Sequence, residues 1–304
     1  MSNRAMRHAL TALMMGCLIL AATGGSAGPT ERVRLPPPPD PQEAFGAPPE
    51  LRARQEAIAA ELQRIGPHAW AGEYADGDGL GANRRVWLAP QAGIAGTLSG
   101  CLGLYDSRLG SVVESTGVLK LQLDRTRDTP FSALPDELVP VRWGQRRYLI
   151  APSELISFVN AIHQGFEPRT DAHGMFLLGR GDEEKPAEGL PDLPERYRSA
   201  IRSAALDVGV IAVEPSPARC DRDGYCTRTY RFTVDRGSLD GIATGMELQV
   251  KSPDNQWDHL LIESTDGTTA VGELITRFDA DDKPDVEPDR RWVFTTGSYS
   301  PVAR

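Results

Sequence analysis

From Ala69 onward the chain never runs far without a turn sequence, and this punctuation restricts it to short elements. Asp76-Gly77-Asp78-Gly79, Thr116-Gly117 and Gly144-Gln145 each separate apolar runs long enough for a strand and little more. In the run Val118–Leu123, Leu119, Leu121 and Leu123 alternate with Val118, Lys120 and Gln122, the period of a half-buried strand. With 30 Gly and 24 Pro in 304 residues, short strands are favoured over long helices. A hydrophobic content of 40% supports packed cores, and the length allows about two domains. The predicted fold class is mainly β with some α (α+β): an N-terminal β-meander domain with one packed helix, plus a small C-terminal β-barrel-like domain.

Residues 67–180 form the predicted meander domain. Its expected strands are Trp70–Ala75, Val86–Ala89, Gly93–Leu98, Val112–Ser115, Val118–Leu123, Leu138–Trp143, Tyr148–Ile150 and Met175–Leu178. The spacing of Leu155, Phe158, Val159 and Ile162 predicts a helix from about Pro152 to Gln164, capped at Gly165 and plugging the curved sheet. Residues 181–194 are charged and aperiodic and read as a linker. The second domain, 195–304, should begin with a short helix from Glu195 to about Ala204. Its strands are expected near Val210–Glu214, Thr227–Val234, Met246–Val250, His259–Glu263, Ala270–Ile275 and Trp292–Thr295, with an acidic loop from Asp279 to Asp289. Ahead of both domains, residues 49–66 predict an amphipathic helix. Pro49 suits its first turn, Leu51, Ile58, Leu62 and Ile65 share a face, and Gly66-Pro67 stops it. That face suits packing on the next domain; binding a partner is the alternative.

The amino terminus has the order of a secretory signal peptide. Arg4 and Arg7 precede an apolar run from Ala9 to Ala22, and small residues follow through Gly28. Cleavage is expected after Ala27, with Ala22 as a second position, so residues 1–27 form the leader and 28–48 a proline-rich, disordered tether. The apolar run is shorter than the ~20 residues a spanning helix needs, and no later segment approaches that length. The mature chain is therefore expected in the periplasm or secreted, without a transmembrane segment. Met14-Met15-Gly16-Cys17 offers a rival reading as a lipobox with a lipid anchor at Cys17, against which the apolar stretch continues through Leu20.

The net charge of −9 becomes still more acidic when Arg4 and Arg7 leave with the leader. Such a chain repels phosphate backbones and anionic headgroups, which argues against nucleic acid as a partner. Beyond the leader lie Cys101, Cys220 and Cys226. Cys220 and Cys226 bracket a turn-like Asp-Arg-Asp-Gly-Tyr and are expected to pair in an oxidising compartment. Cys101, in the apolar Gly100-Cys101-Leu102-Gly103-Leu104, is expected as a buried thiol.

The segment from Thr233 to Leu248 (TVDRGSLDGIATGMEL) resembles an element of exported bacterial β-barrels, found in the periplasmic barrel of rod-shape-determining proteins and the C-terminal barrel of flagellar assembly proteins. Gly237, Gly241 and Gly245 would give a wide corner its backbone freedom, with Ile242 tucked beneath. The resemblance covers about the last quarter of the chain and implies a small barrel with a structural or docking role; it transfers no catalytic residue. Trp70-Ala71-Gly72-Glu73-Tyr74 opening a meander is similar to the start of lipocalin-like domains, but His68 stands where those domains carry their glycine.

Candidate sites are few. Gly24-Gly25-Ser26-Ala27-Gly28 matches G-x-S-x-G but lies at the leader's cleavage region, where no strand–turn–helix can form. Asp76 and Asp78 begin a calcium-like loop, as do Asp221 and Asp223; the twelfth positions, Trp87 and Phe232, offer no carboxylate, so plain turns are the simpler reading. His163, Glu167, Asp171 and His173 fall within eleven residues and could form a metal or acid–base site. His68 and His259 stand alone. No cofactor is expected. These features predict a non-enzymatic exported envelope protein that binds or docks to a protein partner. The alternatives are an envelope hydrolase near His163 and His173, or a lipocalin-like carrier of a small apolar ligand.

Overall fold

The computed structural model describes residues 47–77, 81–124, 134–165, 176–251, 259–279 and 291–297. The leader, Cys17 and almost all of the tether lie outside them, as does the acidic loop beyond Asp279. The protein is mainly β with some α, but the expected open meander beside one small barrel is incorrect: both regions close into β-barrels.

The first barrel comprises β1 (Gly72–Asp76), β2 (Asn83–Ala89), β3 (Gly93–Gly100), β4 (Gly103–Ser115), β5 (Val118–Leu123), β6 (Glu137–Trp143), β7 (Arg146–Ile150) and β8 (Phe176–Gly179), each antiparallel to the next. Closure comes from β8 returning to β1 through Tyr74↔Gly179 and Ala75↔Leu178. An open sheet of this length would leave two unpaired edges, and this pairing removes them. The lumen is filled by one face of each strand, including Tyr74, Val86, Leu88, Ile94, Leu119 and Leu149. The Tyr74 hydroxyl donates to the Trp70 carbonyl at 2.9 Å, and the Trp70 side chain packs in the same core.

Two helices cover the outside. Helix α1 (Pro49–Ile65) lays Leu51 and Ile58 on Ala89 and Ala95 of β2 and β3. Its buried Glu61 accepts the backbone N–H groups of Gln91 and Ala92, and Arg54 donates to the Ala92 and Gly110 carbonyls. This is the packing role of the two expected for the helix. Helix α2 (Leu155–His163), entered through a 3-10 turn, does not plug the sheet from within. It lies against the outer face of β6–β8, where Phe158 meets Trp143, Tyr148 and Phe176 edge-on. The strand pattern accounts for this: Phe176, Leu177 and Leu178 are all buried, so β8 is covered on both faces.

The second barrel is a ring of β9 (Asp207–Pro215), β15 (Val293–Thr295), β12 (Glu247–Val250), β13 (His259–Thr265), β14 (Ala270–Asp279) and β11 (Tyr225–Val234), closed by β11 pairing with β9. The two-residue β10 (Arg219–Cys220) continues along β11 beyond the end of β9. Its interior, with Phe232, Leu248, Ile262 and Phe294, merges with the α2 face of the first barrel into one apolar core.

Residues 181–194 are folded against the β6–β7 hairpin. Trp143 Nε1 donates to the Gly189 carbonyl, Arg146 Nε to the Lys185 carbonyl, and Leu193 enters the shared core. Helix α3 is only Glu195–Arg198, after which the chain turns to bury Ala200 and Ile201. Cys101 is exposed, contrary to expectation: Cys101 and Leu102 form the turn between β3 and β4, so their apolar neighbours do not cover them.

Candidate functional site

Side chains of β11 alternate strictly. Tyr230, Phe232 and Val234 point into the barrel, leaving Thr227, Thr229 and Arg231 on the outer surface beside Glu273 and Ile275 of β14. On the other flank β9 reaches Pro215, paired with Tyr230, and the ladder breaks because Pro215 and Pro217 have no N–H to donate. Ser216 bridges the break: its N–H donates to the Thr229 carbonyl at 2.8 Å, and its Oγ accepts the Thr229 N–H at 3.1 Å. β10 then rejoins β11, with Cys220 opposite Cys226 and the two joined by a disulfide.

The step at Ser216 raises a wall beside the outer face of β11 and leaves an open groove of about 800 Å³. Thr229, Arg231, Glu273 and Ile275 line it on the strand side; Glu214, Pro215, Pro217 and Arg219 complete it. The charges interleave, since Arg231 lies in register with Glu214 on one side and Glu273 on the other. Ile275 is 55% exposed, an apolar contact between charged neighbours. Mixed charge, threonine hydroxyls and an exposed isoleucine suit an extended polypeptide, which offers amides, both signs of charge and side chains at a two-residue period.

The residues singled out from sequence that are described lie elsewhere. Asp76 is buried and paired with Arg84 at 2.9 Å. Burial pushes its carboxyl up, and Arg84 offsets only part of that shift. Asp78 lies outside the described residues. Asp221 Oδ1 accepts the N–H groups of Asp223 and Tyr225, the arrangement of a turn. His163 is buried at the end of α2 with its Nε2 accepting the Arg202 N–H at 3.0 Å. Glu167, Asp171 and His173 lie outside the described residues, so of that set only His163 is placed. Among the described residues no group of three or more His, Cys, Asp or Glu could hold a metal ion, and no helix is long and apolar enough to cross a membrane. His68 caps backbone, its Nδ1 accepting the Ala71 N–H at 3.2 Å.

Sequence reasoning missed the groove, although part of its signal was present. Once Thr227–Val234 is read as a strand, its alternation assigns Thr229 and Arg231 to the outer face. The wall came from Pro215-Ser216-Pro217, which gives no period. Comparison with protein-family models, with curated proteins and with solved structures returns no match.

Proposed function

We propose that this chain is an exported, non-enzymatic binding protein whose second barrel receives an extended segment of a protein partner in the groove beside β11. The observation that carries this reading is the groove itself, with Ile275 exposed on β14 next to the paired Arg231 and Glu273. An acidic chain disfavours polyanionic partners, and interleaved charge favours a polypeptide over a ligand of a single sign. The resemblance of residues 233–248 to corners of envelope-assembly barrels agrees with a docking role. Export rests on the leader-like first 27 residues and on the Cys220–Cys226 disulfide, which an oxidising compartment permits.

The test is co-purification of the mature protein from an envelope extract, followed by competition with Arg231→Glu and Ile275→Asp variants. A specific partner lost on either substitution supports the reading. Capture that is indifferent to both places binding elsewhere and overturns it.

A further inference from the structure

We propose that His163 is an acid-sensitive joint between the two barrels: neutral, it accepts the Arg202 N–H and holds the second barrel on α2, and protonated it cannot accept and loosens that docking. Three segments converge on this residue. Helix α2 is anchored to the first barrel through Phe158. Opposite it lies the segment leading into β9, whose Arg202 supplies the N–H. The strand exit after β15 approaches so closely that a Cβ on Gly297 would stand 2.3 Å from the His163 carbonyl oxygen. His163 therefore bridges elements of both barrels, its backbone close against the strand exit.

On the α2 side, neighbouring contacts across the same joint are made by amide side chains, and one of their partners, Glu247, is a carboxylate. Asn160 donates to the Gly245 carbonyl and accepts the Glu247 N–H, and Gln164 donates to the Glu247 carboxylate. Charged groups facing the imidazole are sparse. Arg202 acts on it directly, Asp240 acts on Arg202 from the corner before β12, and Glu247 is held by Gln164. The strand exit, Thr296 and Gly297, carries no charge. Arg202 Nε is itself buried with no acceptor among the described residues, so a second positive charge beside it is opposed, with Asp240 the anion acting on Arg202.

Burial, reinforced by Arg202, lowers the His163 pKa from 6.5 to about 4. The docked form therefore binds fewer protons than a parted form with a solvated ring. Docking is at full strength above pH 6.5 and weakens by up to about tenfold per pH unit as pH falls from there toward 4.

The experiment is small-angle scattering of the full chain from pH 7 to about pH 4, with far-ultraviolet circular dichroism on the same samples. It compares the native chain with His163→Gln, whose amide oxygen can accept the Arg202 N–H without titrating. The native chain should expand on acidification while its strand signal persists, and His163→Gln should stay compact. Expansion of both at one pH, no expansion of the native chain, or loss of strand signal together with compactness overturns the proposal. Should His163→Gln fail to fold, hydrogen exchange of the Arg202 amide in the native chain decides. Protection lost progressively below pH 6.5, ahead of the strand amides, supports the joint; loss in step with the strands overturns it.

Discussion

Asp182 has no solvent-exposed side-chain surface, and its Oδ2 accepts the Arg147 Nε–H at 2.9 Å while Oδ1 takes the Lys185 ammonium. The pair fastens residues 181–194 to β7, and the Arg147 guanidinium lies 5.7 Å from the centre of the Tyr74 ring inside the first barrel. Burial opposes ionisation of Asp182, but hydrogen bonds from Arg147 and then Lys185 outweigh it and hold the carboxyl below its ordinary 3.8. A depressed carboxyl contributes stability above its unfolded value and loses it as pH falls through the folded one. Asp182→Asn should therefore cost about 3 kcal/mol at neutral pH, because it leaves Arg147 without its anion, and should flatten the stability profile below about pH 4. Urea denaturation at several pH values measures both.

Glu61 is the polar anchor of α1. Glu61→Ala should lower stability by about 1–3 kcal/mol, since the Gln91 and Ala92 N–H groups lose their acceptor. Hydrogen exchange should rise along α1 and at the β2–β3 turn, with the second barrel unchanged.

Gly237 has φ −135°, open to any residue, yet a Cβ there would lie 2.6 Å from both the Asp266 carbonyl oxygen and the Thr269 nitrogen. Gly237→Ala should cost about 1–3 kcal/mol by forcing two backbones apart. Gly241, at φ 83°, tests a different cause: its alanine variant meets backbone strain as well as the Ser199 carbonyl. Thermal melts of the two variants should both shift downward.

The Cys220–Cys226 disulfide closes a short loop, and chain entropy assigns it about 2 kcal/mol. Replacing both cysteines with serine should lower the denaturation midpoint modestly. The amides of Tyr225 and Thr227 should exchange faster, while Phe232, deep in the same strand, should not.

Strands were legible because their signal is local. Leu119 and Leu121 alternate with polar neighbours, and the predicted Val118–Leu123 coincides with β5. Barrel closure was not legible, because Tyr74↔Gly179 joins residues more than a hundred positions apart and nothing in either segment names the other. The position of α2 was half legible: its apolar face was readable, but choosing between lumen and outer surface required knowing that Phe176–Leu178 is buried on both sides. Cys101 misled for a similar reason, since Gly100-Cys101-Leu102-Gly103 is apolar by composition and a turn by geometry. At the candidate site, the strand face was readable and the proline step beside it was not.

Because α2 gives one side to Trp143 and Phe176 and the other to Gly245 and Glu247, this polypeptide should not yield two soluble halves when the chain is severed between the barrels. A cut anywhere between Gly181 and Leu206 would strip one fragment of its greasy wall, and both products should precipitate or reassociate. The same indivisibility bears on inheritance: a gene duplicating or exchanging either half alone would encode an insoluble product, so the two barrels are expected to travel through evolution together.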